Sequence, residues 1–301
     1  MNPVTDGLVL VSYGSHGMVQ LEDGTRLPVK YRRQVGRPFC GDRVRVGQSE
    51  QNAGVVEFIY ERKNHFVRAD QQHRKHVVAA NLDQVIIVIA RRPLPSRDLV
   101  ERYLLAVHSL GIKPVIVLNK VDIADFDQSA AGTEVLTHLD DYRELGYQVL
   151  ETSCKTEPGI SHLGSLLKNK ISIFAGQSGV GKSSLITQLL PDLDLQVGDL
   201  SQATGKGTHT TTTTHLYSLP EGGWLMDSPG VWEYGLWKLD NREISNGFIE
   251  FSPYSENCRF NDCLHASEPG CGVKQALEDG KFLAWRYDSY RRLLEQNIQA
   301  V

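Results

Sequence analysis

Residues 171–184, Ile171-Ser172-Ile173-Phe174-Ala175-Gly176-Gln177-Ser178-Gly179-Val180-Gly181-Lys182-Ser183-Ser184, run from an apolar segment into glycines and then into a helical pattern that continues to Leu190. The apolar run reads as a buried strand, and Gly176 to Ser183 fits G-x-x-x-x-G-K-[ST]. Strand, glycine loop and helix start aim backbone N–H groups and a positive helix end at one point, where the β and γ oxygens of a nucleoside triphosphate fit. Lys182 is expected to reach those phosphates as a point charge, and the Ser183 hydroxyl to ligate Mg²⁺. Gln177, Ser178, Gly179, Val180, Gly181 and Ser184 complete the expected phosphate-binding set.

On the N-terminal side, 81–90 and 113–118 are two more apolar runs, separated by a helical pattern over Asp98 to Leu110. Strands alternating with helices predict a parallel sheet covered on both faces. At the carboxyl end of the second run stands Asn119-Lys120-Val121-Asp122, which fits N-K-x-D. The Asp122 carboxylate can accept from the N1–H and the 2-amino group of guanine, a pair that adenine does not offer. Asn119 is expected to brace the loops, and the Lys120 stem to cover one face of the base. A further strand, 147–150, leads to Thr152-Ser153-Cys154-Lys155, which resembles the S-A-K loop that holds the guanine oxygen in GTPases. Cys154 reads as packing rather than as a nucleophile, because nothing basic is placed to activate it.

On the C-terminal side, His209 is followed by the threonines Thr210 to Thr214 and His215. One of Thr210 and Thr211 is expected to sense the γ-phosphate and, as Thr211, to ligate Mg²⁺; Thr212 to Thr214 read as the start of a strand. The strand Trp224-Leu225-Met226 delivers Asp227-Ser228-Pro229-Gly230, a D-x-P-G match. Asp227 is expected to hold Mg²⁺ through water and the Gly230 N–H to report the γ-phosphate, so that hydrolysis releases both loops. Val231 stands where Ras-like enzymes place the glutamine that orients the attacking water. Unaided hydrolysis is then expected to be slow. His209 is the candidate to position water, with a capping or packing role equally open.

Three cysteines and a histidine follow as Cys258-x4-Cys263-x-His265-x5-Cys271. Three thiolates and an imidazole make a closed tetrahedral set, so a structural Zn²⁺ is expected there. An apolar helical pattern over Lys281 to Gln296 should pack on it. The remaining cysteines, Cys40 and Cys154, stand apart, which suits a reducing compartment better than a disulfide framework.

At the other end, short β-branched runs between Gly7 and Arg62, separated by turn signals, predict a small closed barrel. The net charge of −4 argues against a globally basic nucleic-acid binder. Yet Arg26, Lys30, Arg32, Arg33, Arg37, Arg43 and Arg45 face Asp42 alone over residues 26–45. That stretch, with Tyr31 and Phe39 interleaved, suits RNA, and a solvated barrel surface is equally open. Residues 61–80 read as a polar connector. No run of about twenty apolar residues would span a membrane, and the first residues lack the pattern of a signal peptide, so a cytoplasmic protein is expected.

The base-recognition motifs precede the phosphate loop and the D-x-P-G, the reverse of the usual GTPase order, so the module is circularly permuted. This order resembles the RsgA (YjeQ) family of bacterial GTPases dependent on the small ribosomal subunit, as do GQSGVGKSS, DSPGV followed by GLW at Gly235 to Trp237, and the Cys₃His spacing. The resemblance covers nearly the whole chain. It implies an oligonucleotide-binding (OB) type barrel over 1–65, a permuted α/β P-loop GTPase over 66–235, and a small, mostly helical zinc domain over 236–301. It implies a monomer that binds the 30S subunit and its rRNA late in maturation, hydrolyses GTP to GDP and phosphate under ribosome stimulation, and leaves. Two departures accompany it: the barrel starts close to Met1, without the basic extension some members carry, and Trp232 stands where an arginine often follows the valine. A diverged paralogue, or an RNA-binding assembly protein using GTP mainly as a binding switch, is the alternative. A P-loop kinase or ATPase is opposed by Asp122.

Overall fold

Every side chain of Gln84–Ala90 is buried, as a strand with sheet neighbours on both sides and helices on both faces requires. The computed structural model describes residues 4–48, 53–69, 75–124, 133–156, 159–193, 214–227 and 239–299. Around Gln84–Ala90 (β8) lie the parallel strands Lys113–Asn119 (β9), Gln148–Glu151 (β10), Ile171–Ala175 (β11) and Trp224–Asp227 (β13), in the order β10-β9-β8-β11-β13. His215–Ser218 (β12) runs antiparallel beside β13. Helices Arg97–Ser109 (α1), Thr133–Thr137 (α2), Leu139–Glu144 (α3), Ile160–Leu167 (α4) and Lys182–Leu189 (α5) belong to the same domain.

The barrel is built from Val4–Tyr13 (β1), His16–Leu21 (β2), Arg26–Tyr31 (β3), Arg43–Gln48 (β4) and Gly54–Ile59 (β5). Its order is β1-β2-β3-β5-β4, and β4 returns to pair with β1, which closes it. Val9, Val19, Val29, Val44, Val46 and Val56 fill its interior. β3 lies within the stretch that reads in sequence only as basic: Lys30 is exposed and Val29 alone of the strand is fully buried, so alternation leaves little apolar signal.

A correction concerns residues 61–80. The expected connector contains a hairpin, His65–Ala69 (β6) with Lys75–Ala80 (β7), which buries Phe66, Ala79 and Ala80. The charged residues Arg62, Lys63, Arg68, Arg74 and Lys75 hid it in the sequence.

Barrel and α/β domain share one sheet. β1 stays paired with β2 as far as Tyr13, through a register shift between Val9 and Val11, while its pairing with β4 ends at Leu8, and beyond that Val11 lies opposite His215 of β12. Leu10, Val11, Met18 and Cys40 accordingly belong to the core of the α/β domain.

The C-terminal unit begins with Asn241–Gly247 (α6), capped by reciprocal Asp240 and Glu243 bonds, and continues through Ser252–Ser255 (α7), Gly272–Glu278 (α8) and Ala284–Gln299 (α9). A Cβ on Gly247 would lie 2.3 Å from Leu105 Cδ2, so a larger residue there would displace the Leu105 side chain where α6 meets α1. On α9, Arg286 is 1% exposed and forms ion pairs with Glu101 of α1 and, at 2.5 Å, with Glu250. Beside it the Trp285 Nε1–H donates to Asp141 at 2.8 Å. Among the described residues no helix is long and apolar enough to cross a membrane.

Candidate functional site

The ends of β8, β9, β11 and β13 bring Ala90, Asn119, Ala175 and Asp227 to one edge of the sheet, where ligands of open parallel sheets bind. β11 passes directly into the phosphate loop. Gly176 turns at φ +144°, and a Cβ there would sit 2.3 Å from the Val88 carbonyl oxygen. Val180 is buried and pins the loop, Gly181 caps α5 at φ +100°, and Lys182 is the first residue of the helix. Lys182 Nζ lies 2.7 Å from both the Gly176 and Gln177 carbonyl oxygens. Ser178, Gly179, Ser183 and Ser184 are exposed on the loop and first helical turn.

Asn119 ties this loop to the base-recognition loops. Its Nδ2 donates to the Val180 carbonyl at 3.0 Å, and the buried Thr152 hydroxyl donates to its Oδ1 at 3.1 Å. Lys120 donates to the carbonyls of Arg92 at 2.9 Å and Gly179 at 2.6 Å, which lays its stem along the phosphate loop. The Ser153 hydroxyl donates to Asp122 Oδ1 at 2.6 Å, and Lys155 Nζ lies 3.5 Å from Oδ2. The serine hydrogen bond, assisted by Lys155, holds the Asp122 carboxyl below its usual range. Cys154 is partly buried against the domain core; burial, with Asp122 nearby, pushes its thiol up. Val121 N–H donates to the Thr152 carbonyl at 3.3 Å, closing the two loops on each other.

Sequence reasoning missed Arg91. Its guanidinium donates to the carbonyls of Val121 at 2.8 Å and Ile123 at 2.9 Å, so it holds the base loop from behind. An arginine directly after a buried strand was the available signal, but no motif marks it.

Asp227 ends β13 partly buried, opposite His215, and burial raises its carboxyl above the ordinary range. A divalent cation beside it would favour the ionised form. His209, Thr210, Thr211 and Gly230 lie outside the described residues, as do Thr212, Thr213 and Val231 to Trp237. Thr214 is buried just ahead of β12.

A second cluster sits in the C-terminal unit. One ligand atom each from Cys258, Cys263, His265 and Cys271 lies within 4.8 Å of all the others. His265 Nδ1 is 3.5 Å from Cys258 Sγ and 3.4 Å from Cys271 Sγ, and its Nε2 is 3.4 Å from the Ser255 hydroxyl. Backbone N–H groups of His265, Gly272 and Lys274 donate to the sulfurs of Cys263, Cys258 and Cys271, which suits thiolates. Burial pushes the Cys263 thiol up, and a cation bound by the set would favour its thiolate. The four residues form a candidate metal site.

A profile of the family described as RsgA GTPase matches residues 59–237. The small ribosomal subunit biogenesis GTPase RsgA of Haemophilus influenzae is 42% identical over 294 residues, covering 96% of this chain and 84% of that protein. The protein of the same name in Yersinia pseudotuberculosis is 42% identical over 304 residues, covering 98% and 86%. Among solved structures, YjeQ from Thermotoga maritima matches with a TM-score of 0.81 at 32% identity, covering 98% of this chain and 99% of that one. YloQ, described as a circularly permuted GTPase, matches with a TM-score of 0.78 at 26% identity, covering 99% and 96%.

Proposed function

This chain belongs to the RsgA GTPase family, and we propose that it hydrolyses GTP on the small ribosomal subunit late in that subunit's maturation, then dissociates. The observation that carries the reading is Asn119, which joins Val180 of the phosphate loop to Thr152 of the base loop. One side chain thereby sets the spacing between guanine and triphosphate.

Asp122, ionised and oriented by Ser153, accepts from N1–H and the 2-amino group of guanine, while Lys120 covers the ring and the backbone of Ser153 to Lys155 meets its oxygen. The N–H groups from Gln177 to Ser184 surround the phosphates, and Lys182 exchanges its carbonyl partners for phosphate oxygens. Ser183 and Asp227, with Thr211, are the residues that would hold Mg²⁺, which neutralises charge on the β and γ phosphates. His209 positions the attacking water in place of the glutamine that Val231 replaces, and Gly230 and Thr210 respond to the γ-phosphate. With no glutamine, unaided turnover is slow, and ordering of these loops by the subunit supplies the acceleration.

Cys258, Cys263, His265 and Cys271 are the right set for one structural Zn²⁺, with no position left for a reacting water. The division at residues 65/66 and 235/236, a monomeric state, a cytoplasmic location and rRNA contact through the barrel belong to the same reading. The RNA contact is supported by the basic stretch from Arg26 to Arg45.

The test is GTP hydrolysis by the protein alone, with small subunits, with large subunits and with free rRNA, using Lys182→Ala as the blank. Stimulation by small subunits only is the expected result. Tight GTP binding without stimulation would favour a binding switch instead. Asp122→Asn checks the base assignment separately: preference should move from GTP to XTP, and a retained GTP preference would contradict it.

A further inference from the structure

Ala90 of β8 stands opposite Asn119 of β9 in a parallel register, so the chain leaves both strands at the same edge and Arg91 comes out beside the Asn119–Asp122 turn. The turn is tight. Lys120 sits at φ +59°, the Ile123 N–H donates to the Lys120 carbonyl at 3.0 Å, and the Val121 N–H reaches across to Thr152. This bend brings the carbonyls of Val121 and Ile123, the two neighbours of Asp122, onto one nitrogen: Arg91 Nη1 donates to them at 2.8 and 2.9 Å. The guanidinium keeps its charge at every working pH and has no acceptor atom, so both bonds are charge-assisted and fixed in direction.

Arg91 is itself anchored on both sides. It follows a strand buried along its whole length, and the loop beyond it runs through the buried Pro95 into α1. Asp98, in the first turn of α1, accepts from Arg292 at 3.2 Å and from Gln296 at 3.0 Å, both on α9. The same loop meets the phosphate loop: the carbonyls of Arg92 and Gly179 share the Lys120 ammonium, and a Cβ on Gly179 would lie 3.6 Å from Pro93 Cδ. Residues 91–93 therefore touch both loops that frame the site, although they lie outside the N-K-x-D and G-x-x-x-x-G-K-[ST] motifs.

Two sets of contacts divide the work at Asp122. Ser153 and Lys155 hold its carboxylate and lower its pKa, whereas Arg91 holds the backbone on which that carboxylate is mounted. Backbone position matters most where two hydrogen bonds must form together. Guanine offers N1–H and the 2-amino group, which need both carboxylate oxygens at a set height and tilt. Hypoxanthine keeps the N1–H but lacks the 2-amino group, and one bond survives a rotation of the carboxylate that two do not. Selection of guanine by its 2-amino group is therefore the property most sensitive to a shift of the turn.

We propose that Arg91 is a positioning residue for base selection: by gripping Val121 and Ile123 it sets Asp122 for two-point contact and so raises the preference for guanine over hypoxanthine. The inference rests on the reading above that Asp122 meets the base.

The test measures the affinities of the full chain for GTP, GDP and ITP, the hypoxanthine nucleotide, in wild type, Arg91→Met and Arg91→Lys, with urea midpoints beside them. Arg91→Met keeps an unbranched stem without donors, and Arg91→Lys keeps a charged donor on a shorter stem. The expected result for Arg91→Met is about tenfold weaker binding of GTP and GDP, which share a base, and about twofold weaker binding of ITP, so that the GTP to ITP ratio falls about fivefold. Arg91→Lys should recover part of that ratio. A general loss of structure would weaken all three nucleotides by one factor; that outcome, or an unchanged ratio in Arg91→Met, would overturn the inference. If Arg91→Met does not fold, the comparison passes to Arg91→Lys, where a ratio below wild type supports the role and a wild-type ratio overturns it. Asp122→Asn separates this inference from the one beneath it. Preference moving to XTP there, with the ratio unchanged in Arg91→Met, sinks the Arg91 role alone; GTP preference retained in Asp122→Asn removes the base assignment and the Arg91 role together.

Discussion

Ser153 carries three hydrogen bonds on one oxygen. It donates to Asp122 Oδ1 and accepts from the backbone N–H groups of Lys155 at 3.0 Å and Thr156 at 3.3 Å. The bond it donates favours the ionised carboxylate, and it is the largest cause of the depressed Asp122 pKa. Guanine recognition as proposed for Asp122 needs that ionised form. A lowered pKa keeps it available as pH falls, and recognition is lost only when the pH passes below the depressed value. Ser153→Ala removes the main cause of the depression, so the Asp122 pKa rises and the acid limb of GTP binding moves to higher pH. Affinity near neutral pH should fall about tenfold as well, since the carboxylate loses its orientation. Nucleotide titrations across the acid range check this; an unmoved acid limb would show that Ser153 does not tune Asp122. That Asp122, Ser153 and Lys182 come to the same end of the sheet was legible because each belongs to a short motif with a chemical reason for its spacing. Arg91 was not, since its function is to hold two carbonyls that only the folded loop brings together.

At the scale of elements, the strands of the α/β domain were legible because burial on both faces leaves continuous apolar runs such as Val85 to Ala90. β3, the β6–β7 hairpin and the β1–β12 seam were not: β3 fully buries only Val29, charged residues mask the hairpin, and the seam joins Val11 to the remote His215. The docking of α9 escaped for the same reason. Arg286 in sequence is one more charge between the apolar positions of a helix, yet it is closed between Glu101, 185 residues earlier, and Glu250, with its guanidinium 4.6 Å from the Phe248 ring. Tyr142 also donates to Glu101, at 2.6 Å. Arg286→Ala would leave two carboxylates buried without a counter-charge, at a cost of about 3–5 kcal/mol, read as a fall in the urea midpoint. Adding Glu101→Gln and Glu250→Gln should recover part of that loss, because no stranded charge remains. If Arg286→Ala costs no more than an ordinary surface change, the pairs are not what fixes α9 to α1.

Across the whole molecule, both flanking units are tied into the α/β domain, the barrel through a shared sheet and the C-terminal unit through Arg286, Trp285 and the close α1–α6 contact. The chain enters β12, and through it the barrel seam, just after the threonine run, and it passes from Asp227 toward α6. Changes at the nucleotide therefore have a covalent route to both units. The two halves of the C-terminal unit differ in what holds them. α9 is anchored to α1 and α3 by side chains outside the metal cluster. Residues 252–282, in contrast, bury little beyond His265, Cys271, Val273 and Ala276, so a metal held by the Cys₃His set would supply their closure. Tyr287 and Tyr290 donate to the carbonyls of His265 and Leu264, which join the metal loop to α9 but cannot fold it. Removing the metal with a chelator should therefore raise amide exchange across 252–282 while α1, the phosphate loop and most of α9 stay protected and GTP affinity holds. Small-subunit binding should weaken if that unit meets the ribosome. Loss of protection extending to residues 171–190 would mean that the metal supports the whole fold, and unchanged exchange over 252–282 would mean that the cluster is not structural.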